Sequence, residues 1–359
     1  MLLDGMPIYN ASHLFGFFSV FNPEAISNAD FYKSAIPARF SGRLSSVVDL
    51  TMKEGNKQER HGRIALSPLA GNLLLEGPLL KNKVSYMLSG RRTWLDAFTN
   101  LVGLIGGRSR VGYHFDDVNA KINADLSKNQ RLYLSWYRSK DRFQNKYDDN
   151  QTKNEYGYDW GNSTLSMRYT HLLSDKLFGS LQLGLVNYNY SLNTFFKTTE
   201  GSVRFDTRSA IRDILLKTDF DFSLTQSMQM RFGGQLSIRR FTPEIRLIRG
   251  DLAIDTPASP GQPASSNEAS VYVENQWDIS EQISLNMGLV QSVNVVPGKT
   301  YANLQPRFSL QYGLSDRLSI KAAYNIQVQY LHLLTNSSLG LPTDLWVPTN
   351  ETIRPQMGQ

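Results

Sequence analysis

The feature that most constrains this chain is an alternation of apolar and polar residues that lasts longer than a globular strand. In 317–330 one parity reads Leu318, Ile320, Ala322, Tyr324, Ile326, Val328 and Tyr330; the other reads Arg317, Ser319, Lys321, Ala323, Asn325, Gln327 and Gln329. Successive side chains of a strand point to opposite faces, so the segment has one apolar and one polar face. Leu304, Pro306, Phe308, Leu310, Tyr312 and Leu314 alternate likewise with Gln305, Arg307, Ser309, Gln311 and Gly313. So do Met228, Met230, Phe232, Leu236 and Ile238 with Gln229, Arg231, Gln235, Ser237 and Arg239. Segments near 118–126, 132–138, 165–173, 181–189, 216–224, 271–279 and 283–295 follow the same rule. A globular strand runs about five or six residues. These run about nine to fourteen, and about ten, tilted near 45°, cross a hydrocarbon layer.

Two kinds of connection join the segments. One is short and self-similar: LSKNQRL at 126–132, LSDKL at 173–177, LTQSM at 224–228, ISEQI at 279–283 and LSDRL at 314–318. The other is long and polar, at 140–160, 192–209 and 243–268. Short turns at one end and long loops at the other describe an up-and-down antiparallel barrel of the outer-membrane type. Two strands around PLLKNK at 78–83 and ten around the five later turns give about twelve. Tyr133, Trp136, Tyr137, Tyr188, Tyr190, Trp277 and Tyr312 lie toward strand ends, where interfacial girdles are expected. A soluble β-sandwich or propeller is the alternative, and strand length together with loop asymmetry argues against it.

Composition agrees once the barrel is considered. A mean hydropathy of −0.34 with 19% charged residues suits a soluble protein, but a barrel with a polar lumen has similar totals. There is no cysteine, which excludes disulfides and thiolate metal sites. The net charge of +6 comes from Lys and Arg dispersed singly, without the basic run of a nucleic-acid patch. No window reaches the roughly 18 apolar residues of a spanning helix; the nearest, Trp94–Gly107, is interrupted by Asp96, Thr99 and Asn100. The opening LLDGMPIYNASHLFGFFSVFNP is broken by Asp4, Pro7, Asn10 and His13, so it reads as neither a signal peptide nor an anchor.

The period changes before residue 60. MLLDGMPIY reads as a strand turning at Asp4-Gly5, and Asn22-Pro23 as a helix start with Asn22 as its cap. ADFYKSA and SSVVDLTMKEG read as short buried strands. This run resembles the C-terminal half of the plug of TonB-dependent outer-membrane receptors. The matching positions are Asp4 and Gly5, Pro23 and Ile26, Tyr32 and Lys33, then Arg39, Phe40 and Gly42, and Val47 through Lys53. SHLFGFFSVFNP, PARFSGRLSSVVD, LEGPL, SGRRTWLD and LPTDLWVP are similar to the version common in Bacteroidota. Two positions depart from the pattern: Ser34 follows the turn lysine, where many members have Gly, and Ser41 splits the aromatic-Gly pair.

The resemblance implies an all-β fold with a small α/β plug portion. Residues 1–58 would be the C-terminal half of the plug and 59–359 the N-terminal part of the barrel, about twelve of an expected twenty-two strands. It also implies a fragment lacking the first half of the plug and the later strands, ending with IRPQMGQ in an extracellular segment. The function implied is binding of a scarce solute by loops and plug, and import with energy from the TonB complex. Outer-membrane lipid and a surface lipoprotein would be further partners; no cofactor, nucleic acid or enzymatic step is implied. A passive porin or structural barrel is the runner-up reading, and it lacks a reason for the plug motif.

Chemistry-bearing clusters are sparse. His13, His61, His114, His171 and His332 show no metal-ligand spacing. YHFDD at 113–117 and YDDN at 147–150 offer oxygen ligands, but read respectively as a loop-to-strand junction and a solvated loop. GLIGGRSR at 103–110 lacks the Gly-Lys-Ser/Thr of a phosphate loop. Arg91 and Arg92 must face opposite sides of a strand. One is expected at the membrane edge, since a midplane arginine on the lipid face costs about 2–4 kcal/mol. The other is expected to meet plug carboxylates in the lumen.

Overall fold

The structure, a computed structural model, describes residues 1–99, 109–149, 151–251, 263–315, 317–334 and 345–359. The chain opens with six short strands: β1 (Leu2–Leu3), β2 (Met6–Pro7), β3 (Ser12–His13), β4 (Phe18–Ser19), β5 (Ile26–Tyr32) and β6 (Val47–Met52). Four of them form a sheet in the order β2-β1-β6-β5, in which β1 and β6 run parallel; β3 and β4 are a separate hairpin. The β1–β2 turn places Asp4 at φ 47 and Gly5 at φ 77, the positive-φ pair that a two-residue hairpin needs. Asn22 does cap a helical start, accepting the Glu24 N–H at 3.2 Å. The helix is a single 3-10 turn, Pro23–Ala25, because Ile26 leads directly into β5 and its pairing with β6. Helix in the first 58 residues is confined to this turn and Leu14–Gly16. β5, expected to be buried, is mostly exposed because it is the edge strand of its sheet.

The remaining strands of the wall are β7 (His61–Leu66), β8 (Ala70–Leu80), β9 (Val84–Thr93), β10 (Ser109–Asp125), β11 (Gln130–Asp148), β12 (Lys153–Ser174) and β13 (Leu177–Thr198). They continue with β14 (Gly201–Ser223), β15 (Met228–Arg249), β16 (Ala264–Asp278), β17 (Ile283–Val296), β18 (Lys299–Ser315) and β19 (Leu318–Asn325). All thirteen pair in chain order in one antiparallel sheet, unclosed between β7 and β19 among the described residues. The strand beyond the expected twelve is β7, which pairs with β8.

Register fixes which parity faces where. Ile122, Leu134, Met167, Leu183, Leu216 and Leu236 stand opposite one another across β10 to β15. Each is 37–43% exposed on the outer face, so they form an exposed apolar row on the side expected to meet lipid. One residue along, Lys121, Ser135, Ser166, Gly184, Leu215, Ser237 and Glu268 form an inner row, and all are buried. Residues 1–58 pack against that inner face. The small members make room: a Cβ on Gly184 would lie 2.1 Å from the Met6 sulfur.

Several expectations change. The polar stretches 140–160 and 192–209 are hairpins, because β11 runs to Asp148 and β13 to Thr198. Beyond the membrane both faces meet water, so pairing continues after the apolar parity has ended. β13 has 22 residues, about 73 Å at roughly 3.3 Å each. Stretch 243–268 is likewise strand at both ends, with 252–262 outside the described residues. Of the aromatics expected at the interfaces, Trp136, Trp277 and Tyr312 face outward. Tyr133, Tyr137, Tyr188 and Tyr190 have the other parity and are buried inside.

The alternation of 317–330 also breaks, because β19 ends at Asn325. β20 (Gln327–Gln329), β21 (Leu331–Leu334), β22 (Leu345–Pro348) and β23 (Gln356–Gly358) form two hairpins, β20–β23 and β21–β22. Val328 and Tyr330 are fully buried instead of facing lipid. Gln305 accepts the Val328 N–H at 3.2 Å, and the Tyr330 hydroxyl meets Ser292 at 2.7 Å and Asn303 at 2.9 Å. Residues 356–358, in the polar closing segment, form a paired strand. No helix among the described residues is long and apolar enough to cross a membrane. The candidate Trp94–Gly107 and the stretch GLIGGRSR lie largely outside the described residues, at 100–108.

Candidate functional site

The candidate site is the interface between residues 1–58 and the inner face of the wall. An apolar cluster joins the two: Leu3, Ile8, Val20, Phe21, Leu50 and Met52 pack with Leu74, Met87 and Tyr137. Buried polar contacts then fix orientation, since each unpaired one would cost about 1–3 kcal/mol.

Three charged groups anchor the inner segment. In the first, the Asp4 carboxylate accepts from Lys121 Nζ at 3.0 Å, Ser135 Oγ at 2.8 Å and the Met52 N–H at 2.9 Å. In the second, His13 in β3 lies between two wall carboxylates, Nε2 to Asp117 at 2.9 Å and Nδ1 to Asp141 at 2.7 Å. Its ring stacks on Phe115, centroids 3.8 Å apart at 5°, and Tyr113 donates to Asp141. In the third, Arg239 bridges Asp213 at 2.9 Å and Glu268 at 2.6 Å, and the Tyr9 hydroxyl donates to Asp213 at 3.1 Å.

The remaining grip falls on main-chain atoms. Arg307 donates to the carbonyls of Ile36 at 3.0 Å and Pro37 at 2.6 Å, and Glu274 accepts the Ala38 N–H. Gln182 donates to the Asp4 carbonyl at 2.7 Å, Asn162 to that of Asn10 at 2.7 Å, and Tyr137 to that of Val20 at 2.9 Å. Arg91 is the lumenal member of its pair. Its partners are the wall carboxylate Asp117, at 2.7 Å from Nε, and the Ser19 carbonyl at 2.7 Å, where a carboxylate of the inner segment was expected. Arg92 faces outward and pairs with Asp96 at 2.9 Å.

His13 is the anchor whose charge depends on pH. Burial alone would lower its pKa, but hydrogen bonds and charges from Asp117 and Asp141 outweigh burial and raise it. A raised folded value means that its stabilisation is full below about pH 6.5 and is lost as pH rises through the folded value. The chain has no cysteine, so a label at F17C, an exposed position beside β4, reports on this hairpin. Its mobility should increase above pH 6.5, and the increase should vanish with H13Q; equal pH profiles would refute the anchor.

The sequence-matched positions fall as follows. Asp4 is the first anchor. Gly5 abuts Gln182, and Gly42, at φ 81, abuts Glu268, where a Cβ would lie 2.8 Å from each side chain. Pro23 begins the capped turn, and Ile26 packs beneath the apolar cluster. Lys33 is exposed. Arg39 donates to the Tyr32 hydroxyl at 2.9 Å. YHFDD lies within β10, with Tyr113, Phe115 and Asp117 facing inward, so it is not a loop junction. In YDDN, Asp149 accepts the N–H groups of Gln151 at 2.9 Å and Thr152 at 2.6 Å. Those bonds lower its pKa to about 2, and its geometry is that of a solvated turn. No cluster of metal-ligating side chains occurs among the described residues.

A cavity of about 500 Å³ remains between the inner segment and the wall, edged by Tyr9, Arg39, Arg43, Lys217, Arg239 and Trp346.

A family model described as TonB dependent receptor-like, beta-barrel matches residues 93–328, well over half of the chain. The chain belongs to the TonB-dependent receptors. Its wall is accordingly a barrel wall of the outer membrane, with the apolar row toward lipid. Solved structures of the same fold include the siderophore receptor PirA from Acinetobacter baumannii, at TM-score 0.63 and 16% identity, with 99% of this chain and 58% of that one covered. A mutant of the ferric enterobactin receptor PfeA from Pseudomonas aeruginosa gives 0.65 and 14%, covering 99% and 59%. The ferripyoverdine receptor of the same organism gives 0.62 and 12%, covering 94% and 51%. The chain thus spans between half and three-fifths of these receptors, and at such identities the likeness is one of fold. No curated protein matches the sequence.

Sequence reasoning did not single out Lys121, Asp141, Asp213, Arg239 or Glu268, although for Lys121 and Arg239 the signal was present, while Asp141 and Glu268 fell in stretches read as polar loop. Each is charged, lies on the polar parity and sits well inside a strand. In a TonB-dependent receptor such a residue faces the lumen, where a full charge needs a partner.

Proposed function

We propose that residues 1–58 act as a plug and the wall as its barrel in an outer-membrane receptor that actively imports a solute. The observation that carries this reading is the occupied lumen: the three charged anchors and the main-chain contacts hold the inner segment in place. A passive pore has no use for a fastened obstruction, whereas an energised one needs an obstruction that can be pulled aside. On this reading the TonB complex supplies the pull. The extended hairpins around 140–160 and the strand ends of 243–268 present the binding surface with the top of the plug. PirA is named as a siderophore receptor and PfeA as a ferric enterobactin receptor, and a scarce solute of comparable kind fits this chain. The reading assigns no catalytic residue.

The test is uptake by the full-length receptor in its own cells, offered single limiting solutes among ferric siderophores, glycans, peptides and cobalamin. Deleting the receptor or the TonB complex should abolish uptake of the same solute, by at least about tenfold. Uptake that survives loss of the TonB complex would make the protein a passive pore.

A further inference from the structure

Strand register gathers charges that the chain order scatters. On the outer face of β11 to β16, one row reads Arg138, Ser163, Asn187, Arg212, Arg240 and Ser265, each directly opposite the next. Arg212 and Arg240 therefore face each other across β14 and β15, and both are exposed. Like charges directly opposite on a sheet repel and destabilise the pairing. Neither arginine has an ion pair among the described residues, and their flanking partners in the row, Asn187 and Ser265, are neutral. Arg208, on the same parity of β14, is also exposed and without an ion pair among the described residues. Carboxylates on this stretch of wall serve other cations: Asp159 pairs with Arg142 at 2.9 Å, and Asp206 with Arg204 at 3.1 Å. The sequence neighbours Asp213 and Arg239 are buried on the inner face.

The height of this pair is the second observation. Ile214 and Ile238, directly opposite each other one step along the same face, are 53% and 39% exposed and belong to the apolar band. Two strand residues span about 7 Å, so the two guanidiniums stand at the rim of that band. They stand on the side of the extended hairpins, which in an outer-membrane barrel is the outer leaflet. An uncompensated charge pair at that height meets lipid headgroups, and a phosphate there supplies the missing anion. Arginine grips phosphate bidentately through its planar fork, and the acyl chains of such a lipid would lie against Ile214 and Ile238.

We propose that Arg212 and Arg240 clamp the phosphate of an anionic membrane lipid in the outer leaflet. The site belongs to the barrel wall and needs no transport step, so it stands or falls apart from the import reading. Dioleoyl phosphatidic acid and dioleoyl phosphatidylcholine serve as probes, offered at equal concentration to the full-length receptor in non-ionic detergent. Bound lipid is counted by native mass spectrometry. The anionic lipid should be retained at least about fivefold over the zwitterionic one, and R212Q/R240Q should cut that preference below about twofold. K128Q, which removes an exposed charge from the short turn at the opposite end, should leave it unchanged. In lipid-free detergent R212Q/R240Q should unfold at the wild-type temperature or above it, because the repulsion is gone. R240Q alone gives the same reading at smaller size should the double variant fold poorly. No preference in the wild type, a preference that survives in both variants, or an equal loss in K128Q would overturn the clamp. Displacement of the lipid by inorganic phosphate at equal concentration would overturn it too, by making the site one for a free anion.

Discussion

Replacing Arg239 with Met should destabilise the receptor by about 3–5 kcal/mol, because it leaves buried charges without their cation. Asp213 and Glu268 are 1% and 3% exposed, and Arg239 is the only cation that bridges them among the described residues. Ser237 and Tyr9 still donate to Asp213, at 2.5 and 3.1 Å, but neutral donors do not replace a full charge. Urea unfolding of the purified receptor, compared with wild type, measures the loss. A companion variant in which Asp213→Asn and Glu268→Gln accompany Arg239→Met should recover much of it. A loss under about 1 kcal/mol in the single variant would show that the triad carries little of the fastening.

Lys121→Met should have a comparable effect, about 3–5 kcal/mol, confined to the inner segment 1–58. Lys121 is 1% exposed and reaches from β10 to Asp4 and to the Met52 carbonyl at 3.1 Å. Removing it strands the Asp4 carboxylate, while the wall keeps its own hydrogen bonds. Amide exchange near Asp4 and Met52 should therefore accelerate, with exchange in β12 to β14 unchanged. Adding Asp4→Asn should return part of the protection, as a double-mutant cycle requires of a direct pair. Acceleration across the whole barrel would instead mean that Lys121 supports the wall itself.

The parts legible in the sequence were those with a strong local rule. Alternation from Met228 to Ile238 located β15, and the Asp4-Gly5 pair located the first hairpin, because period two and positive φ are set locally. The same rule failed at Val328 and Tyr330, where polar partners on β17 and β18 draw an apolar parity inward. It also failed above the membrane: with water on both faces, Lys140 to Asp148 and Lys153 to Trp160 look like loop yet remain paired strand. The anchors were harder to see, since His13 meets Asp117 and Asp141 across 104 and 128 residues. Neither the spacing nor the propensity of a single chain encodes such a meeting. What the sequence did carry was the odd charge at mid-strand, as at Arg239 and Lys121, which becomes interpretable once the face is known to be lumenal.

The main-chain grip on the inner segment has a consequence for how such a protein can change over generations. Arg307, Gln182 and Asn162 hold carbonyls and Glu274 holds an N–H; every residue type offers a carbonyl, and every one but proline an N–H. Substitutions at Ile36, Ala38 or Asn10 therefore leave these bonds available, whereas a substitution in the wall removes them. At these contacts the burden of heredity falls on the gripping side, whereas Asp4, Tyr9 and His13, held by their own side chains, are not free to drift.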